Sequence, residues 1–354
     1  MAMCCILDRE SFSSVLNAKE FKMNGNITLF RTAETWKDLS RNARMFNLDQ
    51  QEMDRLKPFF DSVDPDFFQH CANSALTDFP MEAVQKRFSE TEMREFLFLC
   101  IVANYDALGS LYRREGFPRF LYSDMVPDFR IWADTMKRDF GNYAMTQRIF
   151  DWAVDCLTGK VKAFGRLQCN DIHLFPLNLS IYRTSDGSLK SFPAFREGNP
   201  PHPNLTTGDR SINIHIPAGT PLLKQSCILS LKQMCEFSEK FHPDYDFKAF
   251  VCYSWLLDPQ FRELLKPGSN ILDFQSLGHI LPLDTDDTEE VVWRIWGAAG
   301  KELAPDQLPV SGSMERAVSA FLKRGGRFRE GLMVIFRDEL PALLGNCSKK
   351  APVG

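Results

Sequence analysis

The spacing of apolar residues changes once along the chain, near residue 160, from a helical period to strand alternation. Before that point they recur every three or four positions, which gathers them on one stripe of a helix. The pattern predicts short helices over 33–46, 49–60, 64–75 and 80–88. Ser89-Glu90-Thr91-Glu92 reads as a capping box, in which a hydroxyl and a carboxylate each accept from the other's backbone N–H. It opens a helix expected from about 93 to 115, stopped by Gly116 with Pro118 beyond. Pro127 is expected to open the next helix, ending near Gly141, and a last one covers 143–157 and stops at Gly159. Residues 1–33 are ambiguous, with NITLFRT read as a short strand at most.

After Gly159 the period is two. VKAFGRLQC (161–169) reads as one strand, and His173, Phe175, Leu177, Leu179 and Ile181 are the alternating positions of another. Residues 184–210, rich in Ser, Gly, Pro and Asn, read as a long loop. Ile212, Ile214 and Ile216 then alternate with Asn213 and His215, a strand with two different faces. Pro217 ends its ladder for want of an N–H, and Ala218 and Gly219 permit a sharp turn. Thr220-Pro221 has the form of a helix start, a hydroxyl N-cap followed by proline. Leu223, Cys227, Leu231, Met234, Phe237 and Phe241 continue as the stripe of a long helix. Strands are expected at 247–257, 279–283, 291–297 and 327–336, and helices at 259–266, 269–275 and 314–323. The result is an α+β protein: an all-helical N-terminal domain (1–160), a mixed β-sheet domain with flanking helices (161–345) and a tail (346–354).

Composition narrows the function classes. A chain of 354 residues fits two domains, and 44% hydrophobic content is enough to build cores. A net charge of −4 points away from a nucleic-acid partner. The ten cysteines are scattered, with no C-x-x-C pair, so no zinc or other metal site is expected and a reducing, cytoplasmic setting is. The first residues lack the basic start and apolar run of a signal peptide, and no stretch reaches membrane-spanning length. The acidic run DTDDTEE (284–290) lacks the glycine and spacing of a calcium loop.

Two stretches carry candidate chemistry. Over 111–141, Arg113, Arg114, Arg119, Arg130, Lys137 and Arg138 alternate with Tyr112, Phe117, Phe120, Tyr122, Phe129 and Trp132. This is either a rim for an anion or base, or an amphipathic helix pair with solvated charges. The strand–turn–helix at 211–241 is either an ordinary crossover or a place where free N–H groups meet an anionic ligand. Arg166 and Gln168 are read as sharing one strand face, as pocket lining or as surface positions.

The order of elements after residue 160 resembles the GNAT (N-acetyltransferase-like) fold. More specifically, the chain is similar to a bacterial family of two-domain proteins read as acyltransferases, with a helical N-terminal domain and a GNAT-like C-terminal one. The resemblance rests on YRREGFPRFLYSDMVPDF (112–129), FGRLQ (164–168), HIPAGTPL (215–222), CYSWLLDP (252–259), SNILDFQ (269–275), GGRF (325–328) and GLMVIF (331–336). It implies acyl transfer from acetyl-CoA or another acyl-CoA to the amine of a small molecule or peptide. It also implies a coenzyme A site at Ile216, Pro217, Ala218, Gly219, Thr220 and Leu222. This turn departs from the glycine-spaced loop of typical GNAT enzymes, because prolines at both ends remove two donors.

In such a sheet the strands flanking the central helix are parallel neighbours that splay apart at the thioester. Asn213 and His215 on one and Cys252 and Ser254 on the other are then expected to converge. His215 is the candidate general base, its ordinary pKa of ~6.5 suiting proton transfer near neutrality. Ser254, or alternatively Cys252, is the candidate donor to the leaving thiolate. Arg166, Gln168, Asn213 and Asn270 are candidate substrate contacts. Two alternatives stand beside this reading: a non-catalytic module that keeps the fold, and a thiol mechanism with Cys252 as nucleophile and His215 as its base.

Overall fold

The computed structural model of the chain describes residues 32–46 and 48–345. They form two compact units that meet in sequence between Ala163 and Phe164. Residues 26–31, most of the NITLFRT segment, and the expected tail at 346–354 lie outside the described residues.

The first unit is helical: α1 (Trp36–Ala43), α2 (Gln50–Asp54), α3 (Lys57–Ser62), α4 (Pro65–Ser74), α5 (Met81–Arg87), α6 (Glu90–Ala103), α7 (Asp106–Arg114), α8 (Arg119–Phe140) and α9 (Gln147–Leu157). The capping box forms as expected, Ser89 and Glu92 each accepting from the other's backbone N–H. The helix expected over 93–115 is two helices. The buried Asn104 breaks it, its amide donating to Cys100 O and Ala72 O, both at 2.8 Å. Pro127 lies inside α8 instead of opening a helix, and Pro118 stands at that helix's N-cap. Every side chain from Phe96 to Ala103 is buried, so the C-terminal part of α6 is apolar all round and lies in the core of the unit.

The basic and aromatic residues of 111–141 divide between the packing and the surface, with Arg113, Arg114, Arg119, Phe120 and Arg138 exposed. Arg130 pairs with Asp134 at 2.8 Å and Glu52 at 3.5 Å, and Lys137 with Glu52 at 3.3 Å. Phe129 and Trp132 are buried. Burial raises the Glu52 pKa, but hydrogen bonds from Tyr143 and Lys137 and the Arg130 charge outweigh it and hold the carboxyl at about 2. The amphipathic-helix alternative describes the segment.

The second unit is built on a six-stranded mixed sheet in the order β1-β2-β6-β7-β9-β8, where β1 is Lys162–Phe164, β2 Leu167–Leu174, β6 Arg210–His215, β7 Ala249–Ser254, β8 His279–Pro282 and β9 Gly331–Phe336. A second sheet in the order β4-β3-β5 comprises β3 (Leu179–Arg183), β4 (Leu189–Pro193) and β5 (Leu205–Thr206). Both β4 and β5 lie in the stretch expected to be a loop. The helices are α10 (Lys224–Phe241), α11 (Phe261–Leu264), α12 (Asn270–Gln275), α13 (Thr288–Trp296), α14 (Ala298–Lys301), α15 (Ser313–Lys323) and α16 (Leu340–Leu344).

Three expectations are corrected here. VVWRIWG is helix, not strand: Glu289 and Glu290 occupy the first turn of α13, Arg294 the last, and Arg294 pairs with Glu290 one turn back. That charge order suits a helix dipole and outweighs the β propensity of Val and Trp. The strand expected over 161–169 is two strands about a turn at Gly165-Arg166. Thr220 does not cap α10, which starts at Lys224 with no side-chain cap.

Among β6, β7 and β9, side chains of the two faces separate cleanly. Ala249, Val251, Tyr253, Leu332, Val334 and Phe336 pack with Phe175, Ile181 and Leu205 of the segment that forms the small sheet. Every residue of β7 and β9 is buried.

Candidate active site

β6 and β7 are parallel neighbours, as the resemblance implies, paired from Ser211↔Ala249 to Ile214↔Cys252. Residues in register point to the same face of a sheet. Asn213 stands opposite Val251, and Ile214 opposite Cys252. Asn213 and His215 therefore share one face, while Cys252 and Ser254 lie on the other. The expected convergence of these four side chains does not occur, and His215 cannot act as base to Cys252. Cys252 is fully buried, which removes it as an accessible nucleophile. Ser254, also fully buried, accepts a hydrogen bond from Leu256 N at 3.2 Å and caps the short helical turn after β7. Asn270 is exposed at the first position of α12, behind its N-cap Ser269, and is not part of this face.

The face that carries Asn213 and His215 is instead completed from β2. Gln168 stands opposite His215 and Asn170 opposite Asn213. His215 Nε2 lies 2.6 Å from Asn170 Oδ1. With a carbonyl oxygen as acceptor, Nε2 carries the proton and Nδ1 the lone pair. Asn213 is 9% exposed, and its Oδ1 is buried with no hydrogen-bond partner. Beyond a register shift in β2, His173 Nδ1 meets Ser211 Oγ at 2.8 Å. Burial, with a smaller effect from His173, pulls the His215 pKa down to about 3. Burial alone takes His173 to about 4. Both rings are neutral near pH 7. A base held at about 3 is poorly matched to proton abstraction at neutrality, so this row of amides and imidazoles orients groups better than it removes protons. Asn170 had a signal in the sequence: it continues the alternation of Gln168 two positions on.

The chain leaves β6 through Ile216 and the turn Pro217-Ala218-Gly219-Thr220-Pro221 and enters α10. The 18-residue helix has no side-chain cap, so the first-turn N–H groups of Lys224, Gln225 and Ser226 are available to an acceptor from outside. Gly219, Thr220, Leu223, Lys224 and Gln225 are exposed, and Leu222 is buried. Arg166 lies behind this turn. Its Nε donates to Pro221 O at 3.1 Å and a terminal nitrogen donates to Pro217 O at 3.0 Å. The residue is 7% exposed and makes no ion pair among the described residues. Burial lowers its pKa from the ordinary arginine value. Its backbone N–H and that of Leu167 donate to Ser230 Oγ on α10, at 3.0 and 3.3 Å. Gly165 makes the turn possible with φ of 62°, a left-handed conformation that glycine tolerates best. Arg166 thus stands at a turn and does not share a strand face with Gln168. An uncapped helix start and a buried cation with no carboxylate among the described residues suit a phosphate-bearing ligand.

Residues 161–334 match the family model of the GNAT-like C-terminal domain. Among the solved structures that resemble most of the chain are three acyltransferases. One is an acyltransferase in complex with decanoyl-CoA, 19% identical, with a TM-score of 0.60, covering 86% of this chain and 89% of that one. The second, in complex with decanoyl-CoA and teicoplanin, is 20% identical, with a TM-score of 0.60 and coverage of 88% and 90%. The third, an acyltransferase mutant in complex with octanoyl-CoA, is 18% identical, with a TM-score of 0.58 and coverage of 86% and 89%. At these identities the likeness establishes the α+β fold, helical unit included. Comparison with the curated proteins finds no match. Among the described residues, no helix is long and apolar enough to cross a membrane.

Proposed function

We propose that the chain is an acyltransferase that moves an acyl group from an acyl-CoA thioester to an amine of a small-molecule acceptor. The observation that carries this reading is the parallel β6–β7 pair continuing into an uncapped α10 within a GNAT-like domain. The acyl-CoA complexes of the structural neighbours support the donor class, and the teicoplanin complex supports a small-molecule acceptor.

The turn from Ile216 to Leu222 and the first turn of α10 would hold the diphosphate of the donor. The amine attacks the thioester carbonyl, an oxyanion forms, and the thiolate departs with a proton. In this reading Asn213 Oδ1 and the lone pair on His215 Nδ1 accept hydrogen bonds from the acceptor and aim a neutral amine at the carbonyl. Asn170 fixes the ring. Cys252 and Ser254, on the opposite face, take no part.

The test is thiol release. The purified protein, given octanoyl- or decanoyl-CoA and a panel of amines, is expected to release coenzyme A only when a suitable amine is present. His215→Ala and Asn213→Ala should each lower that rate by ~10–100-fold, the scale of losing an orienting contact. Absence of both binding and thiol release with every acyl chain would refute the proposal. Tight binding without turnover would favour a non-catalytic module.

A further inference from the structure

The turn before α10 lacks the spaced glycines that usually let a loop present its N–H groups to a diphosphate, and its two prolines have no N–H to offer. Two details show how this chain arranges its remaining donors. First, Arg166 grips the carbonyl oxygens of both prolines, Pro217 and Pro221, at 3.0 and 3.1 Å. Second, all described peptide bonds are trans. In a trans peptide the C=O and N–H of one unit point in opposite directions. The carbonyl of Pro217 belongs to the same unit as the N–H of Ala218, and that of Pro221 to the same unit as the N–H of Leu222. Turning both carbonyls toward the guanidinium turns both N–H groups away from it. Neither N–H has an acceptor among the described residues.

Resting on the acyl-CoA reading above, we propose that Arg166 is a positioning residue for the diphosphate: it holds the Pro217 and Pro221 carbonyls back, so that the Ala218 and Leu222 N–H groups face the anion beside the α10 N-terminus. Arg166 takes over from outside the loop the conformational role that glycines would play inside it. The grip is itself anchored, since Ser230 of α10 accepts from the backbone N–H groups of Arg166 and Leu167. The guanidinium has no carboxylate partner among the described residues, so its charge adds to the field of the helix start instead of being neutralised. Lysine cannot replace it, because one ammonium does not span two carbonyls as a planar fork does.

The experiment compares two probes. Full-length protein is titrated calorimetrically with coenzyme A and with pantetheine, which lacks the diphosphate. Arg166→Met is expected to weaken coenzyme A by ~10–100-fold and leave pantetheine unchanged, with Arg166→Lys in between. Equal losses for both probes, or no loss for either, would overturn the assignment. If Arg166→Met does not fold, the wild-type protein decides: added inorganic pyrophosphate should shift the Ala218 and Leu222 amide resonances to saturation. Unmoved amides overturn the proposal. Normal coenzyme A binding by Arg166→Met removes the clamp but leaves the acyltransferase reading intact. A wild type that binds neither coenzyme A nor pyrophosphate removes both.

Discussion

Lowering the pH from 7.5 to 5.0 tests the imidazoles of His215 and His173 most directly. His215 and His173 are held at about 3 and about 4 by burial, whereas an unfolded histidine titrates near 6.5. Below pH 6.5 the unfolded chain therefore binds protons that the folded chain refuses. The stability they contribute is complete above pH 6.5 and is lost as the pH falls toward 4 and then 3. Each pH unit below 6.5 costs about 1.4 kcal/mol per histidine, so at pH 5.0 the pair costs roughly 4 kcal/mol. Urea denaturation at pH 7.5 and 5.0 should show this loss in the wild type and its absence in a His173→Gln, His215→Gln double variant. The single variants should each carry about half. Carboxylates also titrate toward pH 5, but equally in all four proteins, so the difference isolates the imidazoles. A wild type and double variant with the same pH dependence would mean that His173 and His215 protonate in the folded protein. The reading of the row as permanently neutral would then be wrong. The same values place no limb from His215 near pH 6.5 in the kcat/KM profile.

Two further substitutions probe the sheet. Gly331 in β9 sits against the backbone of Leu257, so that an added Cβ would overlap its carbonyl oxygen. Gly331→Ala should cost about 1–3 kcal/mol, read as a fall in Tm, and an unchanged Tm would show that the strand yields at no cost. Cys252→Ala should keep acyl transfer within about tenfold, while a loss of 10³ or more would restore the thiol mechanism. Iodoacetamide applied to the native protein should modify Cys235, the one described cysteine that is not buried, before any other described cysteine.

Much of this architecture was legible because its signals are local. The capping box at Ser89–Glu92, the alternation of Ile212, Asn213, Ile214 and His215, and the stripe of α10 each depend on residues within one or two turns. The misreadings arose where local signals compete. In VVWRIWG, β-branched and aromatic residues favour a strand, and the decisive evidence lay in the flanking charges, Glu289 and Glu290 before and Arg294 after. Thr220-Pro221 carries a helix-start signal, yet Pro217 and Pro221 are bound at their carbonyls to Arg166, and the helix begins three residues later. The site was half legible. Parallel pairing of β6 and β7 follows from their connection, but a register is a long-range fact. A one-residue offset decides whether Asn213 meets Cys252 or Val251. No feature within 211–223 indicates that an arginine some fifty positions earlier shapes that turn.

The grip of Arg166 on two proline carbonyls bears on how relatives of this chain are to be recognised. A loop held from outside is free to change its own letters, provided the peptide planes keep their tilt. Screens that look for spaced glycines after the strand that leads into the long helix would discard such proteins as degenerate. A more faithful query would join three separated words: a glycine–arginine pair between the first two strands, a proline at each end of the turn, and a serine two turns into the helix that follows.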